Sequence, residues 1–318
     1  MLLNKDWFCD GEMLEEFDSG DTLDLRVFYD FFMDLLSQFE ISHTGKPVYE
    51  IIQTDWHLFA DMDKAKSVIQ EVLTTNTVSY DFNDRVDYSA DIKNKVGSWE
   101  RLKADVQRQR RFLADYDEFE SYTSNYLKAE AELKNGDKLF RARILPKDII
   151  KYKRSEMGCP PPELATAGRA NPAGISYLYL CEDEPTTYYE VRATYLDRLS
   201  IGTFRIVRDL KIVDFSTKVS LYYAYSNGGV TSAIVAKLIL DEISRDMSRP
   251  MRRFDSEQEY IPTQMICEYC KLIVDADGVS FKSSVYDAGR NYVLFDKDNA
   301  KCTRVVNREV NSVIIEVK

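Results

Sequence analysis

The chain has 318 residues, of which 44% are hydrophobic and 30% are charged, and its formal net charge at pH 7 is −11. This composition is typical of a globular protein and argues against long disordered segments, and the length predicts one large domain or two of ordinary size. The negative charge argues against a broad nucleic-acid surface, because such a surface needs an excess of basic residues.

The sequence carries no sign of a membrane or secreted protein. It has no apolar run of the roughly 20 residues that a membrane-spanning helix needs. Its start, MLLNKDWFCDGEMLEEF, becomes acidic early and lacks the apolar stretch of a signal peptide. Six cysteines in a chain of this length do not indicate a disulfide scaffold. We therefore expect a cytoplasmic protein with reduced thiols.

The first part of the chain has the hydrophobic spacing of helices. Apolar residues recur at intervals of three and four between positions 28 and 39, and Thr22 or Asp24 is suited to cap that helix. A second helix is predicted over KAKSVIQEVL (64–73). A third is predicted over about 98–133, because this stretch contains neither proline nor glycine. These elements predict an all-helical amino-terminal domain.

The pattern changes near residue 135, where short apolar runs begin to alternate with turn residues, as in strands. Helices are expected over about 184–199, 230–247 and 263–273. The predicted strands are LFRARIL (139–145), ISYLYL (175–180), TFRIVRDLKIVDF (203–215), VSFKS (279–283), YVLF (292–295) and VNSVIIEVK (310–318). The sequence therefore predicts an α+β fold, with a helical domain over residues 1–135 and a mixed α/β domain over residues 136–318.

Several motifs that often carry chemistry are weak in this chain. CEYC (267–270) is a CxxC, but a zinc site needs two further ligands, and the chain offers neither a second CxxC nor a nearby histidine. It lies in an apolar run, which favours buried cysteines. The two histidines, His43 and His57, lie in the helical half, which argues against a Ser–His or Cys–His hydrolase. QRQRR (107–111) is interpreted as a solvated helix face.

A stronger combination lies between residues 166 and 192. A loop bracketed by glycines carries Arg169 and Asn171, and loops of this kind contact phosphate through backbone N–H groups and arginine. The strand that follows carries Tyr179, and the next predicted helix contains Glu190. An arginine loop, aromatic faces and a carboxylate together suit a pocket for a charged nucleotide. Taken singly, each of these features is usually structural.

Four blocks in a fixed order resemble the RES domain family. The blocks are FRAR (140–143), GRANPAG (168–174), LYLCEDEPTTYYEV (178–191) and the pair YIPTQMICEYC (260–270) with GVSFKSSVYDAGRNYVLF (278–295). The resemblance covers about residues 139–296 and implies a fold similar to that of ADP-ribosyltransferases. It also implies a toxin of a bacterial toxin–antitoxin pair that consumes NAD+ by hydrolysis or phosphorolysis.

The resemblance further implies the residues of the site. The family's catalytic arginine, glutamate and serine correspond to Arg141, Glu190 and Ser283. The residues implied to bind NAD+ are Arg169, Tyr179, Arg143, Asn171 and Ser284. In this scheme the glutamate stabilises the cation that develops on the ribose, the arginines hold the pyrophosphate, and the tyrosine packs against a ring. The scheme requires no metal ion.

The amino-terminal part resembles the HEPN-like helical domain found ahead of some RES domains, through SWERLKADVQRQRRFL (98–113). The R-x4-H motif of HEPN ribonucleases is absent, because Gln38 and Ile52 stand five residues before His43 and His57. Ribonuclease activity is therefore not expected.

Two other functions stay open from the sequence: transfer of ADP-ribose to a macromolecule, and NAD+ sensing without catalysis. The resemblance implies a separate antitoxin protein as a partner besides NAD+, and self-association of the chain stays open. No membrane or nucleic-acid partner is expected.

Overall fold

The structure is a computed structural model, and it describes residues 8–9, 25–75, 78–216, 219–227, 229–249, 257–286 and 288–313. The chain divides into two compact units. The first consists of Met1–Ser98 and Lys218–Ile239, and the second of Trp99–Thr217 and Leu240–Lys318. Within the described ranges, no helix is both long enough and apolar enough to span a bilayer.

Helices and strands occur in both parts of the described chain. The helices are α1 (Leu25–Leu36), α2 (Val48–Ile51), α3 (Met62–Thr75), α4 (Ala90–Val96), α5 (Ser98–Arg108), α6 (Asp117–Thr123), α7 (Glu184–Glu190), α8 (Leu221–Ser226), α9 (Val230–Ser248) and α10 (Ile261–Leu272). The strands are β1 (Phe39–Pro47), β2 (Arg85–Tyr88), β3 (Glu130–Leu133), β4 (Lys138–Ile144), β5 (Leu178–Cys181), β6 (Arg198–Ile206), β7 (Leu210–Asp214), β8 (Gly278–Lys282), β9 (Arg290–Leu294) and β10 (Ala300–Glu309). The predicted α+β class is confirmed.

The first unit has a helical core that follows the predicted apolar stripe. Phe28, Phe31 and Phe32 of α1 are completely buried, as one face of an amphipathic helix should be. The stripe predicted a helix that reaches Phe39. The helix ends about one turn earlier, at Leu36, because Phe39 is the first residue of β1. The candidate caps at positions 22 and 24 lie outside the described residues. Helix α3 confirms the prediction over 64–73.

The prediction of an all-helical amino-terminal domain is corrected by a two-stranded antiparallel sheet, β1–β2, which lies beside the helices of this unit. A later segment also joins it: the rings of Phe31 and Tyr222 lie 5.6 Å apart, and Thr231 Oγ1 donates to Gln38 Oε1 at 2.8 Å. These contacts connect residues that are nearly 200 positions apart in the chain, which sequence periodicity does not register. The domain boundary predicted at residue 135 stays a prediction, as does the HEPN-like character of the first part.

The single long helix predicted over 98–133 is wrong. Helix α5 ends at Arg108, α6 is a separate short helix, and the last four residues of the stretch form β3. Trp99 and Val106 are completely buried, but Leu113 is 84% exposed. The apolar face therefore ends after Val106, and a helix without such a face gains little from tertiary packing.

The second unit is built on one sheet with the strand order β10-β6-β4-β5-β9-β8-β7-β3. Neighbouring strands are antiparallel except β7 and β8, which are parallel. Strand β4 pairs with β6 over its whole length, whereas it meets β5 only where Phe140 lies opposite Cys181. The sheet therefore opens between β4 and β5.

Successive side chains of β5 and β9 point to opposite faces of the sheet, so every second residue lies in the core and the others lie on the opposite face. Leu180 and Leu294 are buried in the hydrophobic core of this unit. Tyr179, Cys181 and Asn291, which alternate with the core residues along these strands, therefore project to the opposite face. Of these, the aromatic Tyr179 and the polar Asn291 carry groups that can contact a ligand above the sheet.

Three further predictions are corrected in this unit. The strand predicted over 203–215 is divided into β6 and β7 by a break at residues 207–209. The helix predicted to extend to about residue 199 ends at Glu190, because Arg192 and Leu196 have left-handed φ values of 51° and 68°. Strand β10 covers Ala300–Glu309, where no strand was predicted, whereas the prediction was a strand over 310–318. Residues 310–313 have no regular structure, and 314–318 lie outside the described residues. Strand β10 is an edge strand with most side chains at least partly exposed, so its hydrophobic pattern is weak.

Candidate functional site

A cavity of about 350 Å³ lies where the sheet opens between β4 and β5. Arg141, Arg169, Tyr179 and Glu190 all line its wall. These residues come from β4, the loop before β5, β5 itself and α7. The structure therefore brings together four of the predicted site residues from separate parts of the chain.

A larger cavity of about 450 Å³ is lined by residues of α5, the end of α9 and the start of α10. Its central cation, Lys103, bonds to the carboxylate of Asp246 at 2.8 Å and also pairs with Glu100. Because these charges neutralise one another, the lysine is already satisfied without a ligand. The smaller cavity is the better candidate for a functional site.

Local sequence places Glu190 at the end of α7. Asp183 caps the helix, since its Oδ1 accepts a hydrogen bond from the backbone N–H of Thr186 at 2.8 Å. Pro185 stands in the first turn, where it is tolerated because the N–H it lacks has no helical partner there. Thr187, which is 1% exposed, anchors the helix in the protein interior. The capped start and the left-handed Arg192 after the end confine the helix to seven residues.

The Glu190 carboxylate is held at one oxygen. Its Oε1 accepts hydrogen bonds from Ser283 Oγ at 2.8 Å and from Asn291 Nδ2 at 2.7 Å. Ser283, which is 6% exposed, also accepts a hydrogen bond from the N–H of Val285 at 3.3 Å. Within the described part of the chain, the second oxygen, Oε2, accepts no hydrogen bond, so it stays available to a ligand.

Arg141 brings a buried positive charge to the cavity. Its Nη1 is buried and has no hydrogen-bond partner among the described residues. Burial, and then the nearby charge of Arg143, lower the pKa of Arg141 to about 10, so the side chain is still a cation at neutral pH. A buried cationic donor without a partner costs free energy, which an anionic ligand would offset.

The loop before β5 is a closed hydrogen-bonded frame. The Tyr179 hydroxyl donates to Asn171 Oδ1 at 2.7 Å and accepts from the Ala170 N–H at 3.0 Å. Gly168 is required here, because a Cβ atom would lie 2.8 Å from both Asn171 Oδ1 and the Tyr179 hydroxyl. Gln264 of α10 supports the loop by donating to the carbonyl of Gly168 at 2.8 Å.

Arg169 projects from this frame to the cavity, where its Nη1 donates to the carbonyl of Met247 at 3.1 Å. That contact uses one nitrogen of the guanidinium, which has five N–H donors in all. The remaining donors give the cavity a second cationic group.

Three predicted binding residues make structural contacts and do not line the cavity. Arg143 donates to the carbonyl of Gly158 at 2.7 Å. The side-chain amide of Asn171 donates within its own loop, for example to the carbonyl of Ile175 at 2.8 Å. Ser284 donates to a backbone carbonyl of α9. Their roles toward a ligand stay predictions.

Sequence reasoning missed Asn291, which lines the cavity and binds Glu190 directly. Cys181, Tyr260 and Phe281 are further wall residues without a predicted role. A signal for Asn291 was present: asparagine is depleted in strands, and here it stands in the otherwise apolar run NYVLF.

The CxxC motif behaves as a pair of buried hydrophobes. Cys267 and Cys270 of α10 are completely buried, and burial raises the pKa of both thiols. In the described ranges, no three side chains among His, Cys, Asp and Glu are grouped as metal ligands.

Comparison with known proteins identifies one family. The model of the RES domain matches residues 138–313. No curated protein matches the chain. Among solved structures, the crystal structure of the M. tuberculosis MbcT–MbcA toxin–antitoxin complex contains a similar chain, with 12% sequence identity and a TM-score of 0.33. That similarity covers 55% of this chain and 86% of the other.

Proposed function

This chain belongs to the RES domain family, and we propose that it is a toxin that degrades NAD+ by cleaving the bond between nicotinamide and ribose. The observation that carries the proposal is the pairing of charges in one cavity. Arg141 offers a cation whose buried Nη1 has no hydrogen-bond partner among the described residues, and Glu190 offers a carboxylate whose Oε2 accepts no hydrogen bond from them. A substrate that suits both is anionic in one part and cationic in another, as NAD+ is.

The proposed reaction builds positive charge on the ribose. The bond from ribose C1′ to the nicotinamide nitrogen breaks, and nicotinamide leaves as a neutral base with the bonding electron pair. The ribose passes through an oxocarbenium-like state, as in glycoside cleavage. Addition of water at C1′ with loss of a proton gives ADP-ribose, and addition of phosphate gives the 1-phosphate of ADP-ribose.

The residues of the cavity are suited to that charge. A preorganised carboxylate at Glu190 stabilises the developing cation and holds a ribose hydroxyl through Oε2. Arg141 and Arg169 bind the pyrophosphate, where guanidinium groups are effective because they donate several hydrogen bonds at once. Tyr179 presents its ring to the nicotinamide or the adenine. None of these roles requires a histidine or a thiolate.

The test is NAD+ consumption by the purified chain, measured with and without inorganic phosphate, with identification of the products. We expect wild type to consume NAD+ and Glu190→Gln to be at least about 100-fold slower, since loss of a preorganised charge-stabilising group typically costs that much. Glu182→Gln is the matched control, because this exposed glutamate lies just before α7 and does not line the cavity.

The outcomes separate this function from the alternatives. NAD+ that stays intact with wild type in both buffers would overturn the proposal, and tight binding without turnover would favour a sensing module. Labelled macromolecules formed from radiolabelled NAD+ would favour ADP-ribose transfer. Equal rates for wild type and Glu190→Gln would remove Glu190 from the mechanism.

A further inference from the structure

Asn291 lies at the centre of a row of side chains that crosses the sheet. On β9 it is directly opposite Cys181 of β5 and Phe281 of β8. Directly opposed residues of antiparallel strands project from the same face. The amide of Asn291, which is 7% exposed, is therefore held between two neighbouring strands beneath the end of α7.

Chemistry determines which way this amide is oriented. The Glu190 carboxylate can only accept hydrogen bonds, so the group that faces it at 2.7 Å must be the NH2 of Asn291. The carbonyl oxygen then faces Cys181, whose Sγ lies 3.3 Å away and donates its S–H to it. Burial, and then the charge of Glu190, raise the pKa of Cys181, which keeps the thiol protonated as this donor.

Ser283 supplies the second donor to Glu190. Because a carboxylate can only accept, the single proton of the Ser283 hydroxyl is directed to Glu190, and a lone pair of the same oxygen accepts from the N–H of Val285. Two donors thus converge on Oε1 from β9 and from the end of β8. A carboxylate held in this way cannot rotate without leaving both donors unsatisfied, which costs more than losing two exposed hydrogen bonds.

From this geometry we infer that Asn291, oriented by Cys181, is a positioning residue that commits Glu190 Oε1 to the protein and presents Oε2 to the substrate. The inference rests on the proposed function, since it assigns a role within that reaction. A buried asparagine with a purely structural role would affect stability alone. In the inferred role, loss of Asn291 lowers kcat more than it raises KM.

The experiment compares kcat and KM for NAD+ in the full chain. Asn291→Ala removes the donor, and Asn291→Asp keeps the shape but places a second carboxylate against Glu190. We expect kcat to fall about 10- to 100-fold in both variants, as for loss of a hydrogen bond to a charged group, while KM changes less than about threefold. Cys181→Ala should lower kcat about three- to tenfold, and Cys181→Ser, which retains a donor, should restore most of it.

Asn307→Ala is the matched control. Asn307 also makes two side-chain hydrogen bonds, accepting from Ser200 at 2.9 Å and donating to the carbonyl of Ile150 at 2.7 Å, but it does not line the cavity. We expect this variant to lose stability without a matching loss in kcat. Thermal unfolding of every variant shows whether a loss of activity reflects unfolding.

The results distinguish failure of the proposed function from failure of the role of Asn291. Wild type that leaves NAD+ intact would overturn the proposed function and this inference with it. Active wild type, inactive Glu190→Gln and an unchanged kcat in folded Asn291→Asp would overturn the inference alone. A rise in KM without a fall in kcat would also overturn it, because it would make Asn291 a binding residue. If Asn291→Ala does not fold, Asn291→Asp and the Cys181 pair decide the question.

Discussion

The hydroxyl of Tyr179 offers a sharp test of the loop that presents Arg169. In Tyr179→Phe the ring remains, so the hydrophobic contacts and the flat face toward the cavity are kept. Only the hydroxyl is lost, and with it the hydrogen bonds to Asn171 Oδ1 at 2.7 Å and from the Ala170 N–H at 3.0 Å. Both partners are buried: Ala170 is completely buried, and Asn171 is 5% exposed.

The expected cost follows from stranding two buried polar groups. Each buried donor or acceptor left without a partner costs about 1–3 kcal/mol. Some relaxation of the loop will recover part of this, so we expect the free energy of unfolding to fall by about 2–4 kcal/mol. Tyr177→Phe is the matched control, since its ring is also buried and its hydroxyl makes no hydrogen bond within the described residues. That substitution should cost less than about 0.5 kcal/mol.

The assay combines urea denaturation with hydrogen exchange of the Ala170 amide. Denaturation reports global stability, and exchange reports the loop itself even if the two units unfold separately. In Tyr179→Phe the Ala170 amide should lose its protection, while in Tyr177→Phe it should keep it. If both variants were equally stable and the amide stayed protected in both, the loop would not depend on this hydroxyl.

Three further substitutions test the fold around the site. Gly278→Ala places a Cβ atom 2.4 Å from the backbone carbonyl of Val293, so denaturation should show a loss of about 2–3 kcal/mol. Asp277→Asn tests a pH dependence: burial raises the pKa of Asp277, but hydrogen bonds from Arg208 and from the Lys211 N–H, together with the charges of these two side chains, outweigh it and lower the pKa overall. Its stabilisation is therefore present above about pH 4 and lost in acid, so the stability gap between variant and wild type should close as the pH falls below about 4. Asp183→Ala removes the cap of α7 and should cost about 1 kcal/mol, with a lower kcat for NAD+ consumption if Glu190 is displaced.

Several parts of this protein could be predicted from sequence because their signals are local. The apolar stripe through Phe28, Phe31 and Phe32 predicted α1, and short apolar runs predicted β4 and β9. The ordered blocks from FRAR to NYVLF predicted the family that the domain match then identified. The same blocks predicted Arg141, Tyr179 and Glu190, all of which line one cavity.

The tertiary structure decided what depends on distant partners. Helix α5 ends at Arg108 because the residues beyond it bury no apolar face, although their composition suits a helix. The side chain of Asn171 holds its loop together through hydrogen bonds that the sequence did not predict, and its predicted role toward NAD+ stays a prediction. Asn291 had no predicted role, yet it reaches Glu190 across 101 positions of sequence. Sequence alone determined which residue types and local elements are present, whereas hydrogen bonds between strands far apart in the chain decided which of those residues meet at the cavity.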